Sequence, residues 1–344
     1  MPGFTSHYLF GVHMFHHTKD SNLKKIIKNN LPAYLLGLQG PDVFFYYLPC
    51  LLGDSKYSIG NLMHSSGSKE FFSHFLYALE HLESVKEREI ATAYFSGFIC
   101  HYTLDTSCHP FVYARTKYTL SKHGCNNKKA KKISSLSYLS DHIDYETNLD
   151  TLLLKKYKRI CPSSFHQHQT IALNRMQRKV ISRLLSYSIH KTYNNQNSFS
   201  NQTTLTPKNI NTAILSMKYG CLLLSDRAGI KKPLLAHFEN LMKKPHFISN
   251  LIPSNYVSNQ YDYLNLSKDS WRSPWNNHST ENLKCNDTFL DLYHNAEKKC
   301  SHTLHILNQY EKCSYNLATY MLYKDNLLNY LGDYSYHSGM LQNG

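Results

Sequence analysis

Residues 88 to about 108 read as one long, largely buried helix that carries two ionisable groups. Ile90, Ala93, Tyr94, Gly97, Phe98, Cys100 and Leu104 supply its apolar positions at helical period. His101 and Asp105 stand four residues apart, so they stack on one face. Gly97, Phe98 and Leu104 around them imply burial. A buried imidazole or carboxylate has to be partnered, and a metal ion is one partner that satisfies both. A second pair at the same spacing, His142 and Glu146, sits on a further helical stretch. Two helices presenting such faces to each other can close around a divalent cation. Imidazole and carboxylate with few thiolates is the ligand set of catalytic zinc, which keeps one position open for water. The plainer readings are a hydrogen-bonded helix pair for His101 and Asp105, and an exposed ion pair for His142 and Glu146.

Helical patterns dominate the remaining sequence and alternating strands are scarce, so the expected class is all-α. Residues 69–83 carry Phe71, Phe72, Phe75, Leu76, Leu79 and Leu82 as an apolar stripe. Helices are also expected over 141–158, 170–193, 233–244 and 287–310. Thr206 and Pro207 have the form of an N-cap and first helical residue, opening a helix to roughly 225. The polar run 194–204 reads as a loop or linker, and 252–285 as a long loop. Pro110 disfavours helical geometry at the residue before it, which places His109 just past a helix end. The lysines of 128–132 are expected in a solvated loop. The apolar stretch 31–52 is interrupted by Pro32, Gly37, Gly40, Pro41, Asp42 and Pro49. That is too broken for a membrane-spanning helix and reads as buried irregular structure. The expected division is a domain over 1–193 and a helical extension over 206–344 packing on it.

Apolar residues make up 42% of the 344, with 27 Tyr and 16 Phe, a composition that argues against disorder. The formal net charge is +14, which suits an anionic partner such as a phospholipid surface, nucleic acid or phosphate ester. General compositional drift is the alternative. Nine scattered cysteines without any Cys-x-x-Cys signal neither a disulfide framework nor a thiolate zinc site. The first residues show no basic segment followed by an apolar run, so a cytoplasmic location is expected. The histidines His13, His16 and His17, and His166 with His168, have no carboxylate in a matching pattern and are expected to be structural or at the surface.

Taken in order, the motifs resemble the bacterial zinc-dependent phospholipase C family. They are His7, Gly40-Pro41-Asp42, His64, His101-x-x-x-Asp105, His109-Pro110 and His142-x-x-x-Glu146-Thr147. Trp275, the run from Cys285 to Phe289, and the run from Gly332 to Gly339 resemble later segments of longer members. The resemblance implies a compact all-α bundle around a multinuclear zinc site of two or three Zn2+ ions. By the same resemblance Asp42, His64, His101 and Asp105 would hold one zinc. His109, His142 and Glu146 would hold a second, and His7 with Asp105 a third. Asp42 would also act as the general base.

The implied reaction is hydrolysis of phospholipid to diacylglycerol and a phosphorylated head group. Two features depart from the secreted members. There is no N-terminal tryptophan to complete the third site, leaving Pro2 in its neighbourhood, and His109 follows Asp105 more closely. Phe44, Phe45, Tyr46 and Tyr47 are read as core packing before any head-group role. Asp150 continues the His142–Glu146 stripe, either orienting a ligand or facing solvent. The competing functions are a single-strand nuclease of the same fold, which the positive charge suits, and a non-catalytic protein that keeps its metals as staples. Phospholipid is the expected substrate, peripheral membrane contact accompanies it, and nucleic acid is the less favoured partner.

Overall fold

A computed structural model describes residues 3–47, 59–116, 128–193, 205–257, 261–275, 284–313 and 317–342, with the backbone alone for 128–136 and 317–318. Among them the fold is all-α. The β-type pairing among them is confined to isolated bridges, Trp271 with Cys285 and Tyr334 with Leu341. The helices are α1 (Phe4–His17), α2 (Ser21–Asn29), α3 (Leu31–Gly37), α4 (Ile59–Ser65), α5 (Ser68–Glu80), α6 (Val85–Thr116) and α7 (Lys128–Lys158). After them come α8 (Gln167–Thr170), α9 (Arg175–Tyr193), α10 (Pro207–Leu223), α11 (Lys231–Leu241), α12 (Phe247–Asn250), α13 (Phe289–Lys312) and α14 (Leu317–Leu331).

Helix α6 is the axis around which the others pack. Its 32 residues span about 48 Å at helical rise. It buries nearly every side chain from Ile90 to Asp105, and a helix apolar all round belongs at a domain centre. α1, α2, α3, α9 and α13 all lie against it. α3 crosses closest, because Gly37 and Gly97 face each other. A Cβ on Gly37 would stand 2.1 Å from the Tyr94 carbonyl oxygen, and one on Gly97 2.2 Å from that of Tyr34. Phe71, Phe72 and Phe75 of α5 are fully buried, stacking with Phe95 and Phe98 of α6.

Three local expectations need correction. α6 continues through Pro110 to Thr116, so His109 is inside the helix. Proline leaves the carbonyl four residues back without its helical partner, here Thr106. Gly339 closes on that carbonyl: a Cβ there would come within 2.3 Å of it. Burial of Cys108, His109, Phe111, Val112 and Tyr113 outweighs the local preference. Residues 128–132 are helical, as the first turns of α7, and not loop. Residues 31–47 are not irregular but form α3 and a 3₁₀ helix, Gly40–Tyr46, while 48–52 lie outside the described residues. So does the polar run 194–204. Thr206 caps α10 through a reciprocal pair with Asn209, as its sequence suggests. Among the described residues no helix is long and apolar enough to cross a membrane.

Candidate metal centre

The α3–α6 crossing sets the first donors. Leu38 follows α3 directly, and its carbonyl accepts from His101 Nδ1 at 3.1 Å. The chain then turns at Gly40, whose φ of +47° favours glycine, and a Cβ there would stand 2.3 Å from the His101 ring. The 3₁₀ helix that follows delivers Asp42, which is 4% exposed. α4 supplies His64, fully buried, with Nδ1 donating to the Gly60 carbonyl at 2.7 Å. α1 brings His7 against α6, its ring stacked on His101 with centroids 3.9 Å apart.

Around Asp105 the inward atoms crowd together. Its Oδ1 is 3.1 Å from His7 Nε2, and its Oδ2 is 3.1 Å from His101 Nε2 and 3.7 Å from His64 Nε2. Asp42 Oδ1 is 3.2 Å from His64 Nε2 and 3.9 Å from His101 Nε2. One helix turn further along α6, His109 Nε2 is 3.5 Å from Glu146 Oε1, which also lies 2.9 Å from His142 Nε2. The closer spacing of His109 to Asp105 therefore still delivers its imidazole to α7. Three donor clusters result: His7, His101 and Asp105; Asp42, His64 and His101; and His109, His142 and Glu146.

Most of the atoms around Asp105 make no hydrogen bond. His7 Nε2, His64 Nε2, His101 Nε2, His109 Nε2, Asp42 Oδ1 and both Asp105 oxygens are buried without a hydrogen-bond partner. Orphaned buried polar atoms cost roughly 1–3 kcal/mol each, and seven gathered around one carboxylate are what a bound cation would satisfy. Two donors about 2.1 Å from a tetrahedral zinc stand about 3.4 Å apart, and the observed separations bracket that value. Tautomers agree. His64, His101 and His109 each place Nδ1 on a backbone carbonyl, the last on Tyr336 at 2.9 Å. A proton held at Nδ1 leaves Nε2 as a lone pair facing the cluster. His142 Nδ1 meets the Thr116 hydroxyl at 3.1 Å. The donor set fits zinc.

The electrostatics suit metal binding. Burial pushes the His109 imidazole down to about 4 and, with His101 beside it, lowers His7. Neutral imidazole is the form that binds metal. Burial alone would raise Asp105, but the imidazoles of His101, His109 and His7 outweigh it and hold the carboxyl well below the usual carboxylate range. His101 is the exception. Asp105 and Asp42 overcome its burial and raise it.

Two parts of the site were hard to foresee. The segment from Gly332 to Gly339 closes it from the far end of the chain. Tyr336 N donates to the His64 carbonyl at 3.0 Å while its own carbonyl anchors His109. Between them His337 lies buried, its ring centroid 5.4 Å from that of His64 and 5.9 Å from that of His109. Its Nδ1 is 2.8 Å from the Tyr113 hydroxyl and its Nε2 is buried without a hydrogen-bond partner. His337 belongs to none of the donor clusters. Asp150 does not face solvent. It accepts from Thr5 N and Ser6 N at 2.8 Å and from the Ser6 hydroxyl, capping α1 just before His7. Burial pushes its carboxyl up to about 6 against those hydrogen bonds.

The remaining candidates lie outside the cluster. His13 of α1 does have a carboxylate partner, Glu297 at 3.3 Å, on the outer side of α13. Phe44 is core, while Phe45 lies 5.4 Å from the His64 ring. Pro2 is outside the described residues. No curated protein and no solved structure matches the chain. The family description "zinc dependent phospholipase C" matches residues 6–221, more than half of the chain and all of the donors named above. The protein belongs to the zinc-dependent phospholipase C family.

Proposed function

We propose that this protein is a zinc-dependent phosphodiesterase that hydrolyses phospholipid to diacylglycerol and a phosphorylated head group. The observation that carries the reading is the convergence of three buried clusters of imidazole and carboxylate groups, with inward atoms of His7, Asp42, His64, His101, Asp105 and His109 lacking hydrogen-bond partners. Asp42, His64, His101 and Asp105 would hold one zinc, His109, His142 and Glu146 a second, and His7 with Asp105 a third. Zinc bound there supplies two things, a lowered pKa for water and withdrawal of charge from phosphoryl oxygens.

The chain's own groups then have distinct tasks. Asp42 presents a buried, unpartnered Oδ1 and takes a proton from the attacking water as its oxygen adds to phosphorus. The bond from phosphorus to the glycerol oxygen breaks, and the proton leaves on that oxygen with diacylglycerol. With the Tyr113 hydroxyl donating to its Nδ1, His337 carries its proton on Nε2 and donates it as a hydrogen bond to a non-bridging phosphoryl oxygen. Tyr336 and the Gly60 and Leu38 carbonyls hold the imidazoles in register.

The test begins with zinc-replete protein, which should contain two or three zinc ions and release head group from phosphatidylcholine vesicles. Chelation should stop turnover and zinc should restore it. Asp42→Asn should abolish hydrolysis; turnover unchanged by that substitution overturns the base assignment. Single-stranded DNA cut in place of lipid would move the protein to the nuclease reading. Bound zinc with no phosphodiester cleaved would leave the metals as structural staples.

A further inference from the structure

Helix α11 is turned inside out. An ordinary surface helix buries its apolar face and exposes its polar one. In α11 the one buried residue is Glu239, while Leu234, Phe238 and Leu241, spaced i, i+4 and i+7 on one face, are all at least half exposed. Glu239 accepts from the Ile248 and Ser249 backbone N–H groups at 2.7 and 3.3 Å, so the polar side is committed to holding α12. Leu223, 73% exposed, and Ile230, 65% exposed, precede the helix, and Met242 follows it.

The exposed charges of this segment have one sign. Arg227, Lys231, Lys243 and Lys244 are exposed. The two acids of the segment are engaged, Glu239 as described and Asp226 with the Ile230 and Lys232 backbone N–H groups at 3.0 and 2.9 Å. Lys231 Nζ donates to the Leu223 and Ser225 carbonyls at 2.9 and 2.6 Å, which leaves Arg227, Lys243 and Lys244 to face outward. Apolar residues on one face of a helix flanked by exposed cations are what an anionic bilayer surface accepts, the side chains entering the acyl boundary and the cations meeting phosphate.

The face is also braced to the metal centre. The Asn250 side chain of α12 donates to the Ser140 carbonyl at 3.2 Å, and the Thr147 hydroxyl to the Asn250 carbonyl at 2.9 Å. Lys232 lies 3.8 Å from Asp144. Ser140, Asp144 and Thr147 share two turns of α7 with His142 and Glu146. We propose that the face built by residues 222–248 docks the protein onto anionic phospholipid membrane, with α11 lying in the interface. This rests on the phospholipid reading for its purpose, though docking itself does not require turnover.

The experiment uses the full-length, zinc-replete protein in vesicle sedimentation. The vesicles are phosphatidylcholine alone or phosphatidylcholine with phosphatidylserine, and light scattering is run alongside. The wild type should sediment with the anionic vesicles, less with the neutral ones, and be released by salt. Leu234→Glu with Phe238→Glu, and separately Arg227→Glu with Lys243→Glu and Lys244→Glu, should each weaken partitioning at least tenfold. Hydrolysis of a water-soluble short-chain phosphodiester and the melting midpoint should stay unchanged. Phe238→Ser provides a milder variant should the double glutamate fail to fold. Wild type that ignores anionic vesicles, or variants that sediment like wild type, overturn the proposal. So does a wild-type dimer that Leu234→Glu with Phe238→Glu splits, which would make a second copy the occupant. Docking that follows the variants while no lipid is cleaved leaves this proposal standing and refutes the hydrolase reading.

Discussion

Replacing His337 with alanine separates a substrate contact from a metal ligand. The imidazole is buried between His64, His109 and Tyr113 and belongs to none of the donor clusters, so zinc content should not change. Under the proposed function, what the variant loses is one donor to a charged phosphoryl oxygen. Hydrogen bonds to charged groups contribute about 1.5–3 kcal/mol, which at 1.36 kcal/mol per decade is a fall of about 10–160-fold in kcat/KM. The assay pairs head-group release with elemental analysis of zinc on the same preparation. His337→Gln, whose amide can donate from nearly the same place, should recover part of the loss. Two results would refute the reasoning. Activity within twofold of wild type would mean Nε2 meets no substrate, and loss of one zinc equivalent would make His337 a ligand.

Two further expectations concern the scaffold. Asp150→Ala removes the acceptor for three donors at the start of α1. It should cost about 2–3 kcal/mol in urea unfolding and weaken metal retention through His7; an unchanged midpoint would show the cap to be dispensable. Glu311 of α13 accepts from the Thr92 hydroxyl at 2.9 Å, and burial pushes its carboxyl up to about 7. A folded-state pKa above the unfolded one means that the folded protein binds the extra proton. The Glu311 contribution to stability should therefore be full below about pH 4.5 and be lost as pH rises through 7. The side chain is only partly covered, so the effect is taken as about 1–2 kcal/mol. Glu311→Gln should flatten that slope in melting curves run from pH 4 to 8.

The donors that could be read from sequence are those whose spacing encodes one helix face. His101 with Asp105, and His142 with Glu146, needed only a helical period, and Thr206-Pro207 needed only local capping chemistry. What resisted reading depends on contacts between distant segments. Pro110 gives a local reason to end α6, and only the packing of α13 and the 332–339 turn overrides it. Asp150 continues a stripe and is readable either as orienting a ligand or as facing solvent until α1 is seen to start against it. His337 sits in a run of Tyr, Ser and His with no partner at helical spacing. Nothing within that run shows that Tyr336 grips His64 and His109 on either side. The reach of Asp42 to His101 turns on a glycine whose left-handed backbone is fixed by the α3–α6 crossing.

The centre draws one wall from α1 and another from residues 332–339, almost the whole chain apart. A nascent polypeptide thus carries most of its donors for a long interval before the segment that orients His109 has been made. Under the proposed function, competence for hydrolysis would wait on that segment, and a chain stopping short of it would lack the carbonyl that sets the His109 ring.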